Sequence, residues 1–419
     1  MNSFNMRPSP LALAAAAILL SFLGVAAAYA QEGEADPFDA AAFDAATSEE
    51  AGGGAAGAAR TEYLVGGSVL VSAAAYVPAG FDGYAASSQA AGKLFAKVTV
   101  PDIGSLFVSY NLSQAFFAAL AGNGAAALAP PRSLDSPSYS LGELYYGFDI
   151  GKRLFVRVGK QLLAWGPSQV WTPVDFVNRE RADAFSSVDL RQGKAGLKLH
   201  LPLGKANAFL FTDFSDLISG STVKDPAESL TVAGRLDATL AGFEFGLSGY
   251  AGPAVQAKAG LDFSGNLFGS AVYGEAAWAP ADSSHDASLS ASLGISRSLG
   301  ELKRWTVSTE AFYQSLGADH TGDAAAMALL APLYMGKAYV YAAVIAKELF
   351  SPDLSTSLSA LANLSDLSWT LRLSEDLSLP GLPTMTLGLA CSGGGAGKEF
   401  TLAGGDGSWS LSAKTRIEF

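Results

Sequence analysis

Along residues 304–314 apolar and polar positions alternate. Trp305, Val307, Thr309, Ala311 and Tyr313 fall on one side; Thr306, Ser308, Glu310 and Gln314 fall on the other, with Phe312 the one apolar residue among them. A period of two predicts a β-strand with one apolar and one polar face. The pattern returns at 192–201, where Ala195, Leu197, Leu199 and Leu201 oppose Lys194, Lys198 and His200. Residues 336–348 repeat it, with Ala338, Val340, Ala342, Val344 and Ala346 on the apolar side. In 409–419, Trp409, Leu411, Ala413, Thr415, Ile417 and Phe419 oppose Ser410, Ser412, Lys414, Arg416 and Glu418. From Glu62 onward, strand-length segments of this kind are predicted near 62–74, 91–100, 104–112, 141–150, 152–163, 192–201, 205–214, 230–239, 241–251, 254–263, 267–278, 286–297, 304–314, 336–348, 354–363, 366–377, 383–391 and 409–419. That makes about eighteen strands, or sixteen if the pair within 354–377 is misread.

The lengths of the connections carry independent information. After even-numbered strands they are short, as at Pro101-Asp-Ile-Gly104, Gly151 and Pro202-Leu-Gly204. After odd-numbered strands they are long: 75–90, 113–140, 164–191, 215–229, 279–285, 315–335 and 392–408, with Gly252-Pro253 and Asn363-Leu-Ser365 the short exceptions. A soluble sandwich has no reason to alternate in this way along the whole chain, whereas a transmembrane antiparallel β-barrel does, with short periplasmic turns and long extracellular loops. At ~3.3 Å per residue and a tilt of ~40°, the ten steps from Trp409 to Phe419 rise ~25 Å, the height of a barrel's apolar band. The fold class expected is therefore all-β, a transmembrane antiparallel barrel.

Composition narrows this further. Hydrophobic residues make up 49% of the chain and the mean hydropathy is +0.25. Beyond residue 30 these residues never gather into an uninterrupted run long enough for a spanning helix. Arg7, the apolar run Leu11–Val25 and Ala28-Tyr29-Ala30 describe a secretory signal peptide over 1–30, cleaved before Gln31. The run is short for a membrane anchor. Residues 31–60, rich in Ala, Gly and acid, are expected to form a flexible acidic periplasmic leader, and 61–419 the barrel. Within the leader, Asp36–Phe43 has the composition of a short amphipathic turn. Cys391 is the single cysteine, so no internal disulfide forms, and its outward parity makes it a small hydrophobe.

The strand that ends on Phe419 resembles the closing strand of bacterial outer-membrane barrels, whose terminal aromatic residue is read by the barrel-assembly machinery. The segment Arg157-Val-Gly159-Lys160-Gln161, followed by Trp165-Gly166 and by Pro173-Val-Asp175-Phe-Val-Asn178, is similar to one seen in porin-like families, alginate-export and phosphate-selective barrels among them. The resemblance covers about 25 residues of the 419 plus the last strand. It implies the class, a diderm outer-membrane location and contact with its lipids, and not a solute.

The net charge is −12, and seven of the acids lie between Glu32 and Glu50. Half of the acidity is thus a property of the leader, and it argues against nucleic-acid binding. His200, His285 and His320 lack metal-ligand spacing, and no nucleophile-elbow, zinc-protease or phosphate-loop pattern is present, so neither enzyme nor cofactor nor metal is expected. Inward parity makes Arg157, Lys198, Arg235, Lys258, Glu310, Arg372, Lys414 and Arg416 candidates for the pore lining. Further inward bases are Lys93, Lys97 and Lys194; further inward acids are Glu143, Asp149, Asp213, Asp237, Glu244, Asp262 and Glu418. The two signs nearly balance, which implies a weak anion preference.

The loop 164–191 carries two tryptophans and dense mixed charge. It is a candidate to fold inward and constrict the pore, through Trp165, Trp171, Asp175, Arg179, Arg181 and Asp183; capping the rim is the alternative. The function expected is passive diffusion of small polar solutes through a porin. An adhesin whose barrel is only an anchor and a solute-specific export or uptake barrel are the competing readings. The outward residues are small and apolar throughout, so a homotrimer is neither required nor excluded.

Overall fold

A computed structural model describes residues 60–80, 83–122, 136–178, 191–216, 225–300, 302, 304–318, 334–401 and 406–419. Eighteen antiparallel strands form one sheet in which each pairs with its sequence neighbours. They are β1 (Glu62–Pro78), β2 (Gly83–Val100), β3 (Gly104–Gly122), β4 (Ser138–Ile150), β5 (Leu154–Gln161), β6 (Lys194–Pro202), β7 (Ala206–Asp213), β8 (Thr231–Leu240), β9 (Phe243–Gly252), β10 (Val255–Leu267), β11 (Ser270–Ala279), β12 (Ser288–Leu299), β13 (Trp305–Gln314), β14 (Ala338–Lys347), β15 (Leu354–Asn363), β16 (Ser368–Leu377), β17 (Thr384–Gly393) and β18 (Gly407–Glu418). β18 pairs in turn with β1, from Ser68 opposite Glu418 to Pro78 opposite Ser408. Closure leaves no sheet edge, which is what a strand protein needs in lipid. The expected all-β transmembrane barrel is therefore observed, with eighteen strands and not sixteen.

The outside of the wall is apolar. Leu236, Leu247, Leu261, Leu293, Val307, Leu358, Leu373, Leu389 and Leu411 all point away from the interior and are exposed. Rings flank this band: Trp278, Tyr313, Trp369 and Trp409 at the end that carries the long connections, Trp305 and Phe419 at the other, all exposed. Two belts of amphipathic rings match the two interfaces of a bilayer. At the second end the strands turn tightly. Ala241-Gly242 and Phe268-Gly269 are two-residue turns with φ positive at both positions, the conformation that suits the twist of a hairpin.

The first three strands depart from expectation. Residues 75–90 are not a long loop: β1 and β2 continue as a hairpin joined at 79–82, and β3 runs on to Gly122. The stretch is made of Ala, Ser and Gly, whose small side chains give no apolar–polar contrast to read, yet its backbone still pairs, Ser72 with Gln89 and Tyr76 with Ala85. At 17–19 residues these strands rise well above the 8–13 of the others, so the wall is taller on this side. The signal peptide, the leader with Asp36–Phe43, and His320 lie outside the described residues.

Candidate functional site

The site begins where β5 ends. Past Gln161 the chain does not stand up from the rim; it turns into the barrel and runs along the inner wall from β7 to β14. Leu163, Trp165, Val174, Phe176 and Val177 pack with Phe211 of β7, Ala233 of β8, Tyr250 of β9 and Ala277 of β11. The tip reaches furthest. Trp171, fully buried, stacks on Phe312 of β13 at 5.4 Å between centroids and 6° between planes, with Tyr334, which precedes β14, edge-on at 5.5 Å and Tyr339 of β14 tilted at 6.1 Å. β5 and β13 are eight strands apart in a ring of eighteen, so the segment bridges nearly opposite sides.

Two wall carboxylates hold its backbone. Glu275 on β11 accepts from the N–H of Ser168 (2.8 Å) and of Val174 (3.0 Å), pinning the outgoing and returning limbs together. Glu310 on β13 accepts from the N–H groups of Gln169 (3.0 Å), Val170 (3.2 Å) and Trp171 (2.8 Å), and from the Tyr273 hydroxyl (3.1 Å). Consecutive N–H groups that converge on one anion are strong, charge-assisted donors. Both acids sit about four residues below the loop-bearing end of their strands, which places the clamp ~10 Å inside the rim after tilt. At the base, the Asn178 side-chain amide donates to the Leu163 carbonyl, and Arg191 lies 3.7 Å from Asp175. The excursion is thereby closed on itself, like an Ω-loop.

The Trp165-Gly166 pair has a physical reason. Gly166 has φ +96°, where side chains are strained, and a Cβ there would lie 2.3 Å from a Glu275 carboxylate oxygen. Only glycine lets the backbone turn this closely over the acid. Phe176 packs near Tyr250 and beneath the Lys258 ammonium, 5.8 Å from the ring centroid.

The other candidate residues are distributed around the same interior. Arg157 and Lys198 are register partners on β5 and β6. Arg157 lies 5.1 Å over the Tyr145 ring and Lys198 5.5 Å from the Phe209 centroid. Arg235 is bound to Asp237 at 2.7 Å and Asp262 at 2.6 Å. Lys93 lies 3.6 Å from Glu143, which also accepts from the Leu162 N–H. Arg372, Lys414 and Arg416 occupy β16 and β18 on the far side, with Arg416 2.6 Å from Glu418. Glu310, read from parity as a lining residue, is only 1% exposed and serves the segment and not open water. Trp165, Trp171 and Asp175 come together in the interior; Arg179, Arg181 and Asp183 lie outside the described residues. Glu275, Tyr273, Tyr339 and Asn363 escaped the reading of the sequence. Glu275 carried a usable signal, an acid in phase with Tyr273 on a strand whose other face is Val272, Gly274, Ala276 and Trp278.

The burial of these charges is unequal. Glu275, Glu310 and Asp262 are buried, and Glu143 and Asp237 are nearly so, each with a donor or cation partner. Lys97, Arg157, Lys194, Lys258, Arg372, Lys414 and Arg416 all retain partial exposure on inward parity. Among the inward acids, Asp149 and Glu244 are exposed, and Asp213, Glu418 and Asp376 of β16 keep a comparable share, five acids against those seven bases. Water in the interior therefore meets more positive than negative charge.

No known family's sequence profile matches the chain, and no curated protein does. Solved structures do share its fold. A BenF-like porin from Pseudomonas fluorescens Pf-5 superposes with a TM-score of 0.56 at 10% identity, over 85% of this chain and 99% of that one. OccK2 (OpdF) of Pseudomonas aeruginosa gives 0.57 at 11% identity over 85% and 98%, and the outer membrane protein opdK of the same organism 0.55 at 9% over 85% and 99%. At such identities the likeness is one of fold.

Proposed function

We propose that the chain is an outer-membrane porin, a passive channel for small polar solutes with a modest preference for anions. The observation that carries this reading is the segment 162–178, folded into the barrel and fixed to its wall. A barrel that served only as an anchor gains nothing from a buried, doubly clamped segment of this kind, whereas a channel gains a constriction. Trp165, Trp171 and Asp175 belong to that constriction. Arg157, Lys198, Arg235, Lys258, Arg372, Lys414 and Arg416 line the passage, and Glu310 lies behind the segment and holds it. The fold shared with solved porins, and the Arg157–Gln161 segment, which is similar to one seen in porin-like families, support the same class. No catalytic step is part of this account.

Export by the signal peptide 1–30, the flexible leader 31–60 and delivery by the barrel-assembly machinery complete the proposal. The anion preference follows from which charges remain wet. The wall acids nearest the constriction are covered by the segment or paired with Arg235, while bases on β2, β5, β6, β16 and β18 face water. In planar bilayers under a salt gradient, the protein should give discrete ohmic steps and a reversal potential on the anion side. Strong cation selectivity would overturn the electrostatic part. Silence of a folded sample would overturn the channel itself.

A further inference from the structure

A second piece of chain enters the interior beside the first. After β17, residues 394–401 fold inward and end in a short 3-10 turn, Glu399–Thr401. Phe400 packs against the cluster of Trp171, Phe312, Tyr339 and Leu361. Glu399 is held by three donors from three places: the Tyr339 hydroxyl at 2.5 Å, the Asn363 side-chain amide at 2.7 Å and the Met335 N–H at 3.1 Å. Its own N–H donates to Asp366 at 2.8 Å, and the Phe400 N–H to the Ser368 hydroxyl at 3.3 Å. Burial pushes the Glu399 carboxyl above its ordinary range, and the three donors oppose that shift.

These contacts form a continuous chain, from Glu399 through Tyr339 to Trp171 and so to Glu310. Glu310 grips the backbone of the tip from the wall; Phe400 covers the same aromatic cluster through the β17–β18 connection. We propose that the turn Glu399–Thr401 is a latch on the constriction, and that its release frees the tip at residues 169–171 and widens the passage. The latch can open without unfolding, because it lies outside the strand ladder. This inference rests on the channel reading above.

Physical contiguity alone does not establish coupling, so the test must measure it. Hydrogen exchange in detergent micelles would be followed for the amides of 169–171 and 398–401 in the wild type, Glu399→Ala, Tyr339→Phe and the double variant. Tyr339→Phe keeps the ring against Trp171 and removes only the donor. Each single variant should speed exchange at 169–171 by about tenfold or more, the equivalent of one lost charged hydrogen bond, and the double should add little. Flicker between conductance levels in bilayers should rise in parallel. Faster exchange confined to 398–401, or additive effects of the two substitutions, would sink the latch. Exchange reports on the latch whether or not the barrel conducts, so a silent bilayer would count against the channel alone.

Discussion

Glu310→Ala should raise the single-channel conductance severalfold while the barrel stays folded. The carboxylate is the common acceptor for the N–H groups of Gln169, Val170 and Trp171 and for the Tyr273 hydroxyl. Removing it strands three backbone donors: the buried Trp171 N–H, which costs about 1–3 kcal/mol when unsatisfied, and the part-buried N–H groups of Gln169 and Val170, which cost less. Against this stands the burial of the Trp171 ring, worth roughly 3–5 kcal/mol by analogy with Trp-to-Ala changes in cores. The two are of similar size, so the tip should no longer be held against β13 and should spend much of its time off the wall. The strand ladder from β12 to β14 does not depend on this side chain, since its pairing is backbone to backbone. Glu310→Gln, which keeps one acceptor oxygen without the charge, should fall between wild type and alanine. Conductance steps together with the heat-dependent shift in gel mobility would measure both halves of the prediction.

Deleting Phe419 should impair assembly before it alters transport. The seam between β1 and β18 ends in two hydrogen bonds to one residue, Gly67 N–H to the Phe419 carbonyl (2.9 Å) and Phe419 N–H to the Gly67 carbonyl (3.1 Å). The Phe419 ring lies over Gly67 so closely that a Cβ there would meet it at 2.9 Å. Losing the residue frees both groups of Gly67 and removes a ring from the interface belt. The expected result is a lower yield of folded barrel in the membrane, with normal conductance from those molecules that do close. Normal insertion of the deletion variant would mean that the last residue is dispensable for assembly.

Most of the wall could be read from the sequence because lipid on one side and water on the other impose a strict period of two. The strands at 304–314 and 409–419 carry that contrast in nearly every residue, and their positions were legible to within a few residues. The hairpin extension through 75–90 was not, because Ala, Ser and Gly fit either face. Trp165, Trp171 and the mixed charge around them made the segment a candidate to fold inward, with capping of the rim left open. What holds the segment could not be read, since Glu275 and Glu310 lie more than 100 residues away and reach it only once the barrel has closed. Glu310 illustrates the limit. Parity puts it on the polar face of its strand, but parity cannot distinguish an acid facing water from one buried under a loop.

The most direct test replaces residues 164–190 with a short Gly-Ser linker. Gln161 and Lys194 are already register partners, so β5 and β6 can be joined by a tight hairpin without disturbing the ladder. If this segment is the constriction, the variant should fold as a barrel and conduct in larger, quieter steps with weaker discrimination among solutes. If a folded variant shows the conductance of the wild type, the segment does not set the passage and the account fails at its centre.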